Sequence, residues 1–168
     1  YTQNFNTLTS GTWTNNSTLT GWYARTDNTS SITTYGANTG STTTAGLYAF
    51  GVAGTNPLTD RALGYAPSNS YTGSSGTGKG YVGWRLKNNT GSTITSIAVT
   101  WTGEQWRKDN TVDQTLKLFY QKGTTVTDLT GGIWTDCSSV FTSPIKTSGT
   151  SALDGNASAN RVANISAT

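Results

Sequence analysis

The sequence has no histidine, no methionine, one cysteine and one glutamate. Without an imidazole, a Ser-His-Asp or Cys-His arrangement, an HExxH zinc site and an imidazole proton shuttle are all excluded. The lone Cys137 closes no disulfide within the chain. With no histidine to lower its pKa, it reads as a half-buried small hydrophobe in Trp134-Thr135-Asp136-Cys137 rather than a reactive thiol. Charge is also sparse, at 11 % of residues and a net +3. The eleven basic residues are scattered from Arg25 to Arg161, with no cluster beyond Arg107-Lys108, so the basic stripe of a nucleic-acid binder is missing. No apolar run approaches the ~20 residues of a membrane span. There is no signal-peptide pattern, and a chain without Met fits the mature remainder left after cleavage.

What the sequence does have is Thr, Ser, Asn and Gly in abundance, together with six Trp, eight Tyr and four Phe. Low charge with many aromatics argues against disorder. β-Branched and aromatic side chains fit a pleated surface, and Gly supplies turn angles, so the mixture favours strands and turns. Its 168 residues suit a single domain, long enough to bury roughly two-thirds of its unfolded surface.

The stretch Tyr81–Arg107 carries the strongest pattern. Val82, Trp84 and Leu86 alternate with Gly83, Arg85 and Lys87; after Asn88-Asn89-Thr90-Gly91, Ile97, Val99 and Trp101 share a second face. Two alternating runs around an Asn/Gly turn predict a β-hairpin, with Trp84 and Trp101 in the core. Further short strands are expected at Leu19–Ala24, Leu47–Val52, Gln114–Tyr120, around Val140-Phe141, and at Arg161–Ile165. Tyr1–Leu8 reads as a short edge strand, residues 26–46 as a long surface loop around Tyr35, Asn56-Pro57 as a turn, and Pro67–Lys79 as a Gly/Ser loop. No segment keeps a helical period for three turns and no internal repeat occurs. The expected fold is all-β, a two-sheet antiparallel β-sandwich of jelly-roll type spanning 1–168.

Two phosphate-loop spellings, Gly73–Lys79 and Gly78–Gly83, lack the context their chemistry needs. Both require a preceding strand and a following helix whose N-terminus holds the phosphate, whereas here a strand follows. A glycosidase-type pair would have to combine Glu104 with Asp60, Asp109 or Asp113. Each acid has a basic neighbour instead, and Glu104 is expected to pair with Arg61 or Arg107 as a structural ion pair. The acids are dispersed and form no EF-hand-like loop, so no metal site is assigned. Trp13, Tyr35, Tyr71, Trp106 and Trp134 fall in expected loops and are the candidates for stacking on sugar rings; the competing role for each is to plug an end of the sandwich. Thr42-Thr43-Thr44 would suit ice or mineral binding only on a flat, regular sheet, and it lies in an expected loop.

Thr2–Leu8, Gly21-Trp22-Tyr23-Ala24, Gly46–Gly51, Asp60–Gly64, Thr102–Arg107 and Leu153-Asp154-Gly155-Asn156 follow one another as in a module of secreted bacterial proteins. The chain resembles that module over nearly its whole length. The module is similar to MAM and lectin-type jelly rolls and occurs beside lamin-tail domains, surface-anchoring signals or extracellular hydrolase domains. The resemblance implies a secreted, surface-located protein with no settled catalytic role. Its members usually continue past the position of Ile165 with a closing segment carrying further acids, the family's plausible calcium ligands. Three expectations follow: a non-enzymatic binding or adhesion module for polysaccharide, a structural subunit of a filament or matrix, or an accessory domain of a secreted hydrolase. An unclosed sheet edge would also favour self-association, with Tyr1–Leu8 of a neighbour adding a strand.

Overall fold

The computed structural model describes residues 1–29, 31–51, 60–74, 77–109 and 111–168. The fold is all-β, with one 3-10 turn at Ser158–Asn160 and no α-helix among the described residues. None of its helices is long and apolar enough to cross a membrane. The chain falls into two compact units, Tyr1–Leu86 and Lys87–Thr168. The turn expected at Asn56-Pro57 and the end of the strand at Val52 lie outside the described residues.

The first unit holds β1 (Gly11–Thr12), β2 (Trp22–Thr26), β3 (Thr34–Asn38), β4 (Gly46–Phe50), β5 (Ala62–Ala66) and β6 (Gly80–Trp84). β1, β3, β4 and β5 form one sheet in that order, while β2 and β6 make an antiparallel ribbon. Alternation places Leu47 and Ala49 of β4 inward, where they meet Ala24 of β2 together with Leu8, Trp13, Leu19 and Ile32. The ribbon is thus the second layer of a β-sandwich. Several polar groups inside it are satisfied, while the buried Arg61 Nε has no hydrogen-bond partner. Asn15 Oδ1 accepts from both Trp13 Nε1 (2.7 Å) and Ala24 N (2.9 Å), and the buried Thr26 hydroxyl donates to Tyr71 O (2.6 Å).

Two expectations change in this unit. Residues 26–46 are not all loop, because β3 lies inside the sheet, parallel to β4 and antiparallel to β1. Thr34–Asn38 has only Tyr35 as a large apolar residue, so ladder bonds to two neighbours, rather than its own pattern, make it a strand. Gly36 lets it approach closely, since a Cβ there would sit 2.8 Å from Tyr48 Cε1. Tyr1–Leu8 is no strand either: Leu8 is buried in the core and Phe5 packs edge-on against Trp22 at 4.9 Å. Donating this segment to a neighbour would strip the core of both.

The second unit holds β7 (Val99–Glu104), β8 (Arg107–Lys108), β9 (Thr115–Tyr120), β10 (Thr135–Thr142), β11 (Ser151–Ala152) and β12 (Arg161–Ala167). They pair antiparallel as β7–β12, β8–β11 and β9–β10. Register shifts interrupt β10 between Asp136 and Val140 and β12 between Val162 and Ile165, with Ser138 and Asn164 at positive φ, the signature of bulges. Phe141 is buried against the Gly103 backbone, and Trp101 Nε1 donates to Ser139 Oγ (3.0 Å), tying β7 to β10. Gln105 clamps a loop from both sides, giving a proton to Ile145 O (2.9 Å) and accepting Ile145 N (2.8 Å).

The hairpin expected across Tyr81–Arg107 does not form. β6 pairs with β2, placing Trp22 opposite Trp84, and β7 pairs with β12, placing Trp101 opposite Ile165. The turn itself is present: Thr90 N donates to Asn88 Oδ1 (3.0 Å) and Gly91 has φ 74°. Residues 92–98 then run exposed before β7 begins, so the turn closes no ladder.

Candidate functional site

Of the five loop aromatics, Trp13, Tyr35 and Tyr71 belong to the first unit and Trp106 and Trp134 to the second. Trp13 is 2 % exposed and Trp106 5 %, so neither indole offers a face to a ligand. Each is buried by a nearby acceptor, Asn15 for Trp13 and Glu104 Oε2 for Trp106 Nε1 (2.9 Å). Tyr35 meets Trp13 edge-on at 5.9 Å, and Tyr71 lies against Tyr65 at 6.3 Å; both pack on the core of the first unit. Trp134 is half-buried in the second unit, its indole donating to Gly131 O (3.0 Å).

The residues of the expected ion pair divide between the two units, Arg61 in the first and Glu104 and Arg107 in the second. Arg61 is 7 % exposed and its Nη1 donates to Ala49 O (2.7 Å), a backbone contact within its own unit; burial lowers its pKa. Glu104 holds Trp106 and faces Arg161 directly across the β7–β12 ladder, a cross-strand position where opposite charges stabilise. Arg107 sits in β8 opposite Ala152, its carbonyl accepting Gln105 Nε2 (3.2 Å). Arg161 is the basic residue that the β7–β12 register sets opposite Glu104.

A strand, β6, follows Gly73–Lys79, and the turn there is tightened by Thr77 N and Gly78 N donating to Ser74 O (3.1 and 2.7 Å). The helix that a phosphate site requires is replaced by extended backbone; residues 75 and 76 of this stretch lie outside the described residues.

The surface that does concentrate chemistry is the β2–β6 ribbon. Gly21, at φ 84°, opens it: a Cβ there would lie 3.1 Å from Trp84 Cδ1, so only glycine fits this entry into β2. Beyond Trp84 the ladder continues through Arg85 N donating to Gly21 O (2.8 Å). Trp22, Ala24 and Thr26 belong to the inner face. There the Tyr65 hydroxyl sits 3.0 and 2.9 Å from the carbonyls of Arg25 and Tyr81, and burial pushes its phenol far above the ordinary value.

Alternation then sends Tyr23, Arg25, Tyr81, Gly83 and Arg85 to the outer face, with Tyr23 opposite Gly83 and Arg25 opposite Tyr81. The Arg85 guanidinium lies 5.2 Å over the Tyr23 ring. At the far end Asp27 accepts Tyr81 OH (2.7 Å) and Lys79 N (2.9 Å). Burial and then this carboxylate raise the Tyr81 phenol to about 12.

At the Trp84 end an aromatic stack closes the ribbon. Tyr1 lies on Trp84 with ring centroids 4.1 Å apart and planes at 21°, and Trp22 Nε1 donates to its hydroxyl (2.9 Å). Phe5 braces Trp22 from the side while holding φ 58°, a strained conformation for a bulky residue. Tyr1 is 74 % exposed, so the outer face of the stack is open. Neither Tyr1, Tyr23, Tyr81 nor Trp84 was among the aromatics singled out from loop position. The signal was the repeated odd-position pattern, Tyr23 and Arg25 on one strand, Tyr81 and Arg85 on the other.

The chain matches no protein-family model, no curated protein and no solved structure.

Proposed function

We propose that this chain is a non-enzymatic, extracellular binding module that takes a polysaccharide on the β2–β6 ribbon. The observation that carries the reading is the open Tyr1 ring, stacked on Trp84 and held in orientation by Trp22. A sugar presents an apolar face of C–H groups, and an aromatic ring already fixed in place binds such a face without losing rotamer freedom on contact. Trp22 and Trp84 share one face of the ribbon, so the ring, the indole it stacks on and the indole that orients its hydroxyl act from the same side. Asp27, the acid at the far end of the ribbon, is engaged by Lys79 N and Tyr81 OH, which supports a structural role for it.

Affinity electrophoresis of the chain in gels containing individual polysaccharides tests this. Retardation by at least one polymer is expected, with Tyr1→Ala and Trp84→Ala each weakening it by about tenfold or more, the scale of ~1.4 kcal/mol for a lost stacking contact. Uniform migration in every gel, or release of reducing ends from any polymer, overturns the reading.

A second reading, a structural subunit assembled through sheet edges, draws on a different observation. The second unit is built of two-stranded ladders, so each strand has an edge outside its ladder, and its β9 carries exposed Leu116, Phe119 and Tyr120. Unpaired edges with apolar side chains recruit further strands.

A further inference from the structure

We infer that the polysaccharide is anionic, carrying uronate carboxylates or sulfate esters, and that the Arg85 guanidinium above Tyr23 receives the acid group. This rests on the ribbon being the binding surface.

An exposed arginine is usually held by a carboxylate, and one so held has its N–H donors occupied. Arg85 is positioned differently. Its backbone N–H continues the β2–β6 ladder, which fixes where the side chain starts. Its guanidinium is placed by the face of Tyr23, and a π face engages the plane of the group, leaving the N–H edges directed elsewhere. Among the described residues Arg85 has no ion pair or side-chain hydrogen bond, so those edges are free. The nearest acid of the same face, Asp27, is committed to Tyr81 and Lys79 at the opposite end of the ribbon.

Gly83, opposite Tyr23, carries no side chain, so the row of outer-face side chains on β6 has a gap between Tyr81 and Arg85. Side chains two apart on a strand are spaced about 6.5–7 Å, wide enough for one pyranose ring. A ring lying in that gap would present a carboxylate or sulfate to a fork that binds planar or tetrahedral oxyanions at two points.

A single-stranded nucleic acid would also stack on aromatics and meet an arginine. It carries a phosphate at every nucleotide and calls for an unbroken cationic track. The outer face instead runs from Asp27 through Arg25 to Arg85, with an acid at one end. A polymer with charges at intervals suits that arrangement better.

The experiment compares four probes by isothermal titration with the full chain: polygalacturonate, a sulfated galactan, an uncharged β-glucan and a single-stranded oligonucleotide. One or both acidic polymers are expected to bind tighter than the β-glucan, and the stronger of the two identifies the acid as carboxylate or sulfate. Arg85→Gln is expected to lower acidic-polymer affinity about tenfold while shifting β-glucan affinity less than about twofold, and added salt to weaken only the former. Arg85→Lys, which keeps the charge and loses the fork, falls between. Equal binding of charged and uncharged polymers, unchanged by Arg85→Gln, overturns the inference and leaves the polysaccharide reading standing. Absence of binding to any polysaccharide, or tightest binding to the oligonucleotide, overturns both. Tyr1→Ala separates the two ideas further: Tyr1 stacks on Trp84, on the face opposite Arg85, so this substitution leaves the preference for acidic polymers in place, whereas Arg85→Gln removes it.

Discussion

The two units of this chain use similar residues to opposite effect. In Tyr1–Leu86, the large apolar side chains Leu8, Trp13, Leu19, Ile32, Leu47 and Phe50 are buried. In Lys87–Thr168, Trp106 and Phe141 are buried, while Ile94, Ile97, Val112, Leu116, Phe119 and Ile133 stand exposed. Apolar content does not separate the units; sheet breadth does. Four strands in one sheet, faced by a ribbon, enclose a volume in which side chains meet from two layers. Two-stranded ladders enclose less, even where Phe141 against Gly103 and Trp101 to Ser139 tie β7 to β10, and such pairs are marginal in water without a further layer. The candidate site lies on the unit with the enclosed core, where a rigid support can hold Tyr1, Trp22 and Trp84 in fixed orientation.

The largest expected effect breaks this comparison from the side of the first unit. Trp13→Ala removes a wholly buried indole and leaves Asn15 Oδ1 with one donor fewer, and should cost roughly 3–5 kcal/mol in urea unfolding. A cost below about 1 kcal/mol would mean that this core is no better packed than the second unit.

A smaller effect belongs to Glu104. It is half-buried, accepts the Trp106 indole and faces Arg161 across the ladder. Glu104→Gln keeps an oxygen for the indole but gives up the charge, and about 1–2 kcal/mol is expected, between the values of exposed and buried pairs. Arg161→Gln should cost less when made on the Glu104→Gln background than alone, since the two substitutions remove the same attraction. Strict additivity in that double-mutant cycle would show that the ladder position carries no energy.

How far these features were legible from the residues depends on whether the signal was local. The strand around Leu116 followed from alternation, those around Trp22, Leu47 and Val162 from short runs between loop and turn signals, and the all-β class from composition and turn spacing. β3 did not, because Thr34–Asn38 has no apolar face of its own and is made a strand by β1 and β4. The hairpin failed for a related reason. Period two tells which side chains share a face, while the partner strand is chosen by contacts distant in sequence, here β2 for β6 and β12 for β7. At the site, loop position proved a poor guide to aromatic exposure. Trp13 and Trp106 each have an acceptor two residues away, which allows the indole N–H to be buried. Trp84 was assigned to the core because it shares an alternating face with Val82 and Leu86; both of those are exposed, and Trp84 is half-buried beneath Tyr1.

The smallest expected effect sharpens the comparison from the side of the second unit. Ile133 is 87 % exposed, and Leu116 and Phe119 of β9 are exposed on opposite faces of the same strand. A side chain already in water has little burial to lose, so Ile133→Ser and Leu116→Ser should each change unfolding free energy by less than about 0.5 kcal/mol. If instead these side chains are covered in solution by a second copy joining an open ladder edge, each substitution removes buried apolar area and the cost rises to roughly 1.5–3 kcal/mol. That cost would depend on protein concentration, because the covering copy must associate. Light scattering alongside the unfolding curves distinguishes the cases. A monomer whose stability is indifferent to both substitutions confirms that the second unit carries its apolar residues in the open. An oligomer that dissociates on Leu116→Ser would transfer the filament reading from an expectation about sheet edges to a property of β9.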